Sequence, residues 1–557
     1  MLLHLFRRLI GRPSSHANAA RSGAEQPPAL ATGQPAAQAD FESLLGAGLE
    51  DWRAQRKDEA RRKFAQAARI APSSLLPHFY LGNCAVESGQ FDAALEHYTE
   101  ALRIEPANSR IYANLSVAHL RRADAQSAIA ALRKAIELDP DYRDAHQSLL
   151  FALHYSEQLT PAEITGAHRA WGRAFCSAAT DDSKVAPVNP EPGRALRIGY
   201  VSGDFRQHSV AAFFEAIAIH HDRQSFQVVC YHTAAHADAV TARLKAAADA
   251  WRDIDGMPDE DAVRLIQADR IDLLVDLSGH TVGNRLDVFA RRAAPVQLTY
   301  LGYPGTTGVP AMDFRITDAA TDPPGAADAL HTERVLRLPG AQWCYWPDSA
   351  LPECGPLPAQ QCGHVTFGSF NDFSKAGDPV LHAWGEILHR LPGSRLRLLR
   401  TPGGQRVQRA QALLAEHGVA AERLDWVVSA VSRPSHAERF AGVDIALDTF
   451  PVNGVTTTVE CLWMGIPVIS VYGGNCISRS GLSLLQSVGL PDLATRTVDD
   501  YVAAAAALAN DHPRLAEIRR SLRGRVRVAL ADAPRFVASL EELYRSAWRI
   551  RTAELAG

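Results

Sequence analysis

Pro72, Pro106 and Pro140 stand 34 residues apart, and the register they mark runs through the whole interval between them. Ala60, Ala94 and Ala128 share one position, and Phe64, Tyr98 and Leu132 a second. Ala67, Ala101 and Ala135 share a third, Ile70, Ile104 and Leu138 a fourth, and Gly48, Gly82 and Ser116 a fifth. Small residues where two helices cross, a large one filling the gap and a proline ending the second helix describe a helix pair. One such pair cannot bury its apolar face alone, so the chain must stack several into an array. Three repeats cover about 41–142, and 143–175 (LLFALHY, then PAEITGAHRAWGRAF) continues as a degenerate fourth pair placed to cap the array. The period and these positions match the tetratricopeptide pattern, whose stacks expose a groove for extended peptides or for docking another domain.

The rest of the 557 residues is too long for a repeat domain alone and leaves room for further domains. With 46% apolar and 22% charged residues the composition is that of a globular chain. A net charge of −4 with both signs interspersed provides no basic footprint for nucleic acid. Eight cysteines without a CxxC pair or His/Cys ligand spacing read as reduced thiols of a cytoplasmic protein, not as a metal site. No apolar run approaches a transmembrane span. The apolar, basic start MLLHLFRRLIGR does not have the order of a secretory signal. Residues 1–40, rich in Ala, Pro, Gln, Ser and Gly from residue 12 on, are predicted to be a disordered tail.

After a Pro/Asp/Ser-rich linker at 176–195, short apolar runs alternate with helical patterns. LRIGYV (196–201), FQVVCYH (226–232), IDLLVDL (271–277), VQLTYL (296–301), FRIT (314–317) and ERVLRL (333–338) form one series of predicted strands. HVTFGSF (364–370), RLRLLR (395–400), LDWVVS (424–429), DIALD (444–448) and PVISV (467–471) form a second, with 352–363 as the connector. Strands alternating with helices predict two parallel, doubly wound lobes, here 196–355 and 356–530, with a C-terminal helix over 531–557. Ligands of such sheets sit at the carboxyl ends of the strands.

Residues 444–471 carry the most specific chemistry. A strand runs into a turn with Asn453 and Gly454 and then into a Thr-rich helix start, whose first N–H groups lack intrahelical partners and carry partial positive charge. That is a backbone cradle for a diphosphate, to which Thr456 and Thr457 add hydroxyl donors. Glu460, one turn on, is placed to accept from a ribose diol. An ordinary strand-to-helix turn with capping threonines has the same composition. Other candidates also follow strands: His208 in SGDFRQHS, His280 in SGHT, the Gly-rich turn LGYPGTTG, Lys375 in SFNDFSK, and Arg433, His436 and Arg439 in SRPSHAERF. A loop histidine is more often structural than catalytic, and a lone lysine is more often a solvated charge.

Taken together, the repeats, LRIGYVSGDFRQHS, PVQLTYLGYPGTTG, FGSFNDFSK and NGVTTTVECLWMGIPV resemble the O-linked N-acetylglucosamine transferase family, glycosyltransferase family 41, over roughly 41–550. The resemblance implies a tetratricopeptide superhelix followed by a GT-B enzyme of two Rossmann-like lobes. It implies UDP-N-acetylglucosamine as donor, protein Ser or Thr hydroxyls as acceptors held through the repeat groove, and inversion without a metal or other cofactor. By the same resemblance His208 lies beside the sugar and acceptor, and Lys375 and the pair Thr456/Thr457 contact the diphosphate. His436 and Arg439 shape the uridine pocket, and Gly302 and Pro304 line the sugar pocket. The chain departs from the animal members at Val455 and Glu460, where they carry His and Asp. At the positions of their asparagine ladder it has Gly46, Tyr80 and Asn114. Relatives that use GDP-fucose, or UDP-glucose on asparagine, and a nucleotide-sugar-binding scaffold with little turnover, are the alternatives.

Overall fold

The computed structural model describes residues 35–176, 191, 193–348, 351–400, 404–428 and 438–556. Residues through Ser156 are grouped with Arg400–Ala412 as one compact unit, and Glu157–Leu399 with Leu413–Gly557 form another.

In the first unit, antiparallel helices Pro35–Arg53 and Lys57–Ile70, Leu75–Glu87 and Phe91–Ile104, and Ser109–Arg121 and Ala125–Leu138 are the three repeats, and Arg143–Leu153 packs on the last of them. The second helix of each pair stops two residues before its register proline. At each crossing the predicted exchange of volumes is present. A Cβ on Gly48 would lie 2.7 Å from the Phe64 ring and one on Gly82 only 2.4 Å from the Tyr98 ring. Where the third repeat has Ser116, the large partner has shrunk to Leu132. The Tyr98 hydroxyl donates to Asn83 Oδ1 (2.7 Å), which also accepts from Asn114 Nδ2 (3.0 Å). Asn114, at a ladder position, is therefore buried between repeats and not displayed for a ligand. The first helix begins at Pro35, so residues 35–40 are not the end of a disordered tail: PAAQAD is rich in helix formers and leads into the apolar stripe that buries Phe41 and Leu45.

The second unit contains both α/β lobes. Its first sheet has the order β3-β2-β1-β4-β5-β6-β7, with β1 Leu196–Ser202, β2 Phe226–His232, β3 Ala250–Asp253, β4 Leu273–Asp276, β5 Val296–Thr299, β6 Phe314–Asp318 and β7 Arg334–Leu338. The second sheet has the order β10-β9-β8-β11-β12-β13, with β8 Thr366–Ser369, β9 Arg395–Arg400, β10 Leu424–Val428, β11 Ile445–Leu447, β12 Val468–Val471 and β13 Ala494–Thr495. Strands β3 and β13 escape the sequence pattern. One is the half-buried edge AWRD and the other is two residues long, so neither presents an apolar run.

In both sheets the first strand lies centrally, and the order reverses beside it, between β1 and β4 and between β8 and β11. Crevices open at such reversals, on the carboxyl ends of the strands. The loops from β1, β4, β8 and β11 carry His208, His280, Lys375 and the Thr-rich helix start respectively.

Two helices are placed differently from their sequence neighbours. Helix Pro161–Cys176, read as the end of a capping repeat pair, belongs to the second unit and packs on the first lobe. Its His168 bonds the Tyr303 hydroxyl (2.7 Å), and a Cβ on its Gly172 would lie 1.7 Å from the Gly308 carbonyl oxygen. The C-terminal helix Ala533–Ala556 buries Val537, Leu540, Tyr544, Ala547 and Trp548 in the core of the first lobe, together with Ile198, Tyr200 and Leu298. Each of those larger side chains contributes roughly 1.5–3 kcal/mol on burial.

Two glycines of helix Pro161–Cys176 give opposite predictions. Gly172→Ala forces that helix off the 302–308 turn and lowers stability by about 1–3 kcal/mol, as overpacking does. Gly166→Ala, with nothing within 4 Å, raises stability by roughly 0.5–1 kcal/mol through helix propensity. Urea unfolding of the two variants reads the difference, and equal effects would refute the close contact.

Candidate functional site

The site at the second switch point is built around a carboxylate that sequence reasoning passed over. Asp448, two per cent exposed, follows β11. Its Oδ1 accepts from Asn371 Nδ2 (3.0 Å), from its neighbour's Thr449 N–H (2.9 Å) and from Gly454 N–H (2.8 Å). Its Oδ2 accepts from Ser470 Oγ on β12 (2.7 Å). One acid thus joins the ends of β8, β11 and β12 and shapes the loop 449–454. Burial raises the Asp448 carboxyl above its ordinary value, while these donors and Lys375 act against that rise. The signal for it was present in DIALD, an acid at the carboxyl end of an otherwise apolar central strand.

Lys375 lies in the loop after β8, half-buried, and its Nζ donates to the Asn453 carbonyl (2.9 Å). Withdrawal from water holds its ammonium below the usual lysine value, an effect that Asp448 and Asp372 oppose. Asn453 itself is buried, and its side-chain amide donates to the Thr449 and Val471 carbonyls, so it shapes the loop while its backbone carbonyl receives the lysine. Gly454 is required by space: a Cβ there would meet Thr457 Oγ1 at 2.6 Å and Asn371 Oδ1 at 2.8 Å.

Helix Thr456–Trp463 follows, with Val455 as N-cap and no side chain capping its first N–H groups. Val455, Thr456 and Thr457 are half-exposed there, and Thr457 Oγ1 donates to Asn371 Oδ1 (2.9 Å). Asn371 therefore bridges Asp448 and Thr457, a role that the motif SFNDFSK, read for its lysine, did not suggest. One turn on, Glu460 Oε2 accepts from Arg439, whose guanidinium also lies over the Phe440 ring (4.7 Å). The carboxylate expected to meet a ribose is thus oriented by an arginine. Arg433 and His436 lie outside the described residues.

The first-lobe candidates separate. His208, in the loop after β1, is half-buried, and its Nδ1 lies 3.3 Å from the Val210 N–H and 3.4 Å from Asp204 Oδ2. Desolvation lowers its pKa to about 3, so the ring is neutral at any ordinary working pH. Asp204 also pairs with Arg206 (3.0 Å).

His280, the candidate in the loop after β4, is packed inside the first lobe. It is fully buried, its Nε2 bonds the Thr307 carbonyl (2.7 Å), and its ring packs edge-on against Trp171, His168 and Tyr303. It helps fasten helix Pro161–Cys176 to the lobe. The glycine at Gly302 answers to protein backbone, since a Cβ there would lie 1.9 Å from the Leu277 carbonyl oxygen. Pro304 is half-buried and its carbonyl accepts from the Cys476 thiol of the second lobe (2.7 Å). The turn between them is held by its own polar network: Thr306 Oγ1 and Thr307 N–H donate to the buried Glu333 carboxylate (2.6 and 2.7 Å).

Among the described residues no group of three or more His, Cys, Asp or Glu side chains is arranged to hold a metal ion, and no helix is long and apolar enough to cross a membrane.

The family model described as glycosyl transferase family 41 matches residues 146–342 and 357–540, and tetratricopeptide repeat models match 45–108 and 85–153. The chain is 40% identical over 429 residues to a probable UDP-N-acetylglucosamine–peptide N-acetylglucosaminyltransferase SPINDLY of Solanum lycopersicum, covering 74% of this chain and 45% of the relative. It is 31% identical to the corresponding probable enzyme SEC of Arabidopsis thaliana, over 65% of this chain and 38% of the relative. The chain thus spans less than half the length of these curated relatives. Among solved structures, a mutant O-GlcNAc transferase of Thermobaculum terrenum superposes with a TM-score of 0.85 at 36% identity, over 94% of this chain and all of the other.

Two outcomes follow from the geometry. Asp448→Ala removes a carboxylate that opposes the desolvation of Lys375 and leaves the buried Gly454 and Asn371 donors without their acceptor; such a loss costs about 1–3 kcal/mol or more, read by urea unfolding. His168 is fully buried, and desolvation lowers its pKa to about 4. The unfolded ring takes up a proton below about pH 6.5 while the folded ring does not, so stability is fully present above that pH and falls towards pH 4. In a His168→Gln variant the fall in unfolding free energy between pH 6.5 and 4 is shallower; an unchanged slope would contradict the assignment.

Proposed function

The chain belongs to glycosyl transferase family 41, and from that premise we propose that it moves N-acetylglucosamine from UDP-N-acetylglucosamine to Ser or Thr hydroxyls of proteins, with inversion and without a metal ion. The names of the relatives support the donor and the acceptor class. The observation that carries the reading is the juxtaposition of the Lys375 ammonium with the uncapped helix start at Val455–Thr457. Both supply positive potential where a leaving UDP gains negative charge.

In this mechanism the acceptor oxygen bonds the anomeric carbon as the bond from that carbon to the diphosphate oxygen breaks, and the electron pair leaves with UDP. Lys375 and the amide and hydroxyl donors of Thr456 and Thr457 stabilise the departing charge. The hydroxyl proton goes late to His208 or to a phosphate oxygen of the donor. A neutral His208 ring accepts it at Nε2 only while Nδ1 keeps its hydrogen towards Asp204; the Val210 N–H favours the other tautomer. For this reason stabilising the leaving group accelerates transfer more than taking up the proton does. Glu460, oriented by Arg439, accepts from the ribose, and Arg439 serves the uridine pocket that the family resemblance also assigns to His436. The groove of the repeats binds the acceptor polypeptide. All eight cysteines are free, and six of them are buried, as suits a reducing, cytoplasmic setting.

Transfer of labelled sugar from UDP-N-acetylglucosamine to lysate proteins tests the function, with GDP-fucose as the competing donor. Label from GDP-fucose alone would move the chain to the other donor class. Lys375→Ala loses about 10²–10³ in turnover, the scale of one charge-stabilising donor, and His208→Ala loses less. Wild-type turnover in Lys375→Ala would refute its role. Because the His208 pKa is held near 3, the rate shows no inflection near pH 6.5 that disappears in His208→Ala. A pH-rate profile of both proteins checks this.

A further inference from the structure

A cavity of about 370 Å³ opens between the two lobes and shares no lining residue with the helix start at Thr456. The loop after β6 gives it an apolar wall that includes Pro323, Ala327 and Leu330, and the second lobe contributes Tyr472, Arg479 and Arg496. Arg479 is fixed in place: its Nε donates to the Ala320 carbonyl (2.8 Å), its Nη1 to the Gly473 carbonyl (3.1 Å), and its guanidinium lies over the Tyr472 ring (5.3 Å). It is half-buried, while Arg496 is exposed.

Among the described residues neither arginine has a carboxylate within ion-pair distance. The acids that reach Arg479 electrostatically are Asp318 and Asp322, and both are engaged elsewhere. Asp318 accepts from Thr321, from Gln342 N–H and from Ser483. Asp322 holds Thr317, His331 (3.0 Å) and Arg315 (3.7 Å). Holding a guanidinium half out of water without a counter-charge is costly, and here one lines a cavity beside a second. An apolar wall beside the guanidinium of Arg496 and the remaining donors of Arg479 suits a carboxylate carried on a short aliphatic stem. The cavity lies at the carboxyl ends of β6, β12 and β13, the sheet edges on which the diphosphate cradle and His208 also lie.

We propose that this cavity is an acceptor subsite that takes the carboxylate of an Asp or Glu side chain flanking the modified hydroxyl. The proposal rests on the transferase reading above and assigns part of its substrate preference to Arg479 and Arg496.

The test has one arm without turnover and one with it. Calorimetric titration of triglutamate is carried out with UDP at saturation, so that the diphosphate cradle is filled. The wild type binds, Arg496→Glu weakens binding about tenfold or more, and Lys375→Ala leaves it unchanged. Arg496 is exposed and makes no hydrogen bond or ion pair among the described residues, so its substitution leaves the fold intact. Absence of triglutamate binding, or equal binding by Arg496→Glu, overturns the proposal. In the second arm, serine peptides with Glu or Gln at each flanking position receive labelled sugar. The wild type favours Glu at one position, and Arg496→Glu removes that preference. A preference that survives in Arg496→Glu, or none in the wild type, overturns the acceptor role. Triglutamate binding that depends on Arg496, with no transfer to any peptide, would overturn the transferase reading while upholding the carboxylate site.

Discussion

A desolvated ammonium held beside the loop of a buried carboxylate is the constraint around which the second lobe is arranged. Neither Lys375 nor Asp448 is tolerable alone, because water is withdrawn from both and each is pushed towards its neutral form. The protein answers with fixed dipoles: the Asn453 carbonyl for the lysine, and two amide donors, a hydroxyl and the Asn371 side chain for the acid. Meeting those demands fixes the loop 449–454, and that loop sets the position of the first turn of helix Thr456–Trp463. Tyr501 carries the same network to the next layer, donating to the Asp448 carbonyl (3.0 Å) and accepting from Trp384 (3.0 Å). A misplaced aspartate would thus be felt at the helix start, although it touches no ligand.

The first lobe solves a different problem. Its chemistry-bearing turn, 302–308, is pressed between the strand ends and helix Pro161–Cys176 so closely that backbone meets backbone at Gly302 and Gly308. Such contacts fix position without side chains, and the turn's hydroxyls and one amide are satisfied by Glu333. The result is a rigid wall opposite a cradle held by charge.

The repeats were legible because a 34-residue period leaves the same volumes at the same positions, and the glycine against ring contacts reproduce them. Both lobes were legible because parallel strands buried on two faces read as continuous apolar runs. The half-buried edge β3 and the two-residue β13 have no such run. The motifs located both switch points, but not the division of labour within them. In SFNDFSK and DIALD the charged lysine stands out, while Asn371 and Asp448 act through hydrogen bonds to residues about 80 positions away, a pairing no local pattern encodes. The surroundings of His280 were illegible for a related reason: the side of a loop on which a histidine lies depends on what packs against it. Here that is a helix the repeat register had assigned to its own array. The cavity beside Arg479 and Arg496 left no mark in the sequence, because its walls come from both lobes.

The helix Ala533–Ala556 completes the hydrophobic interior of a lobe whose first strand begins more than 300 residues earlier, at Leu196. During synthesis that interior must wait, unfinished, while the whole second lobe emerges from the ribosome. Neither half of the body can then be excised as a self-sufficient piece, because the nascent chain is sewn back through its own beginning by its last turns.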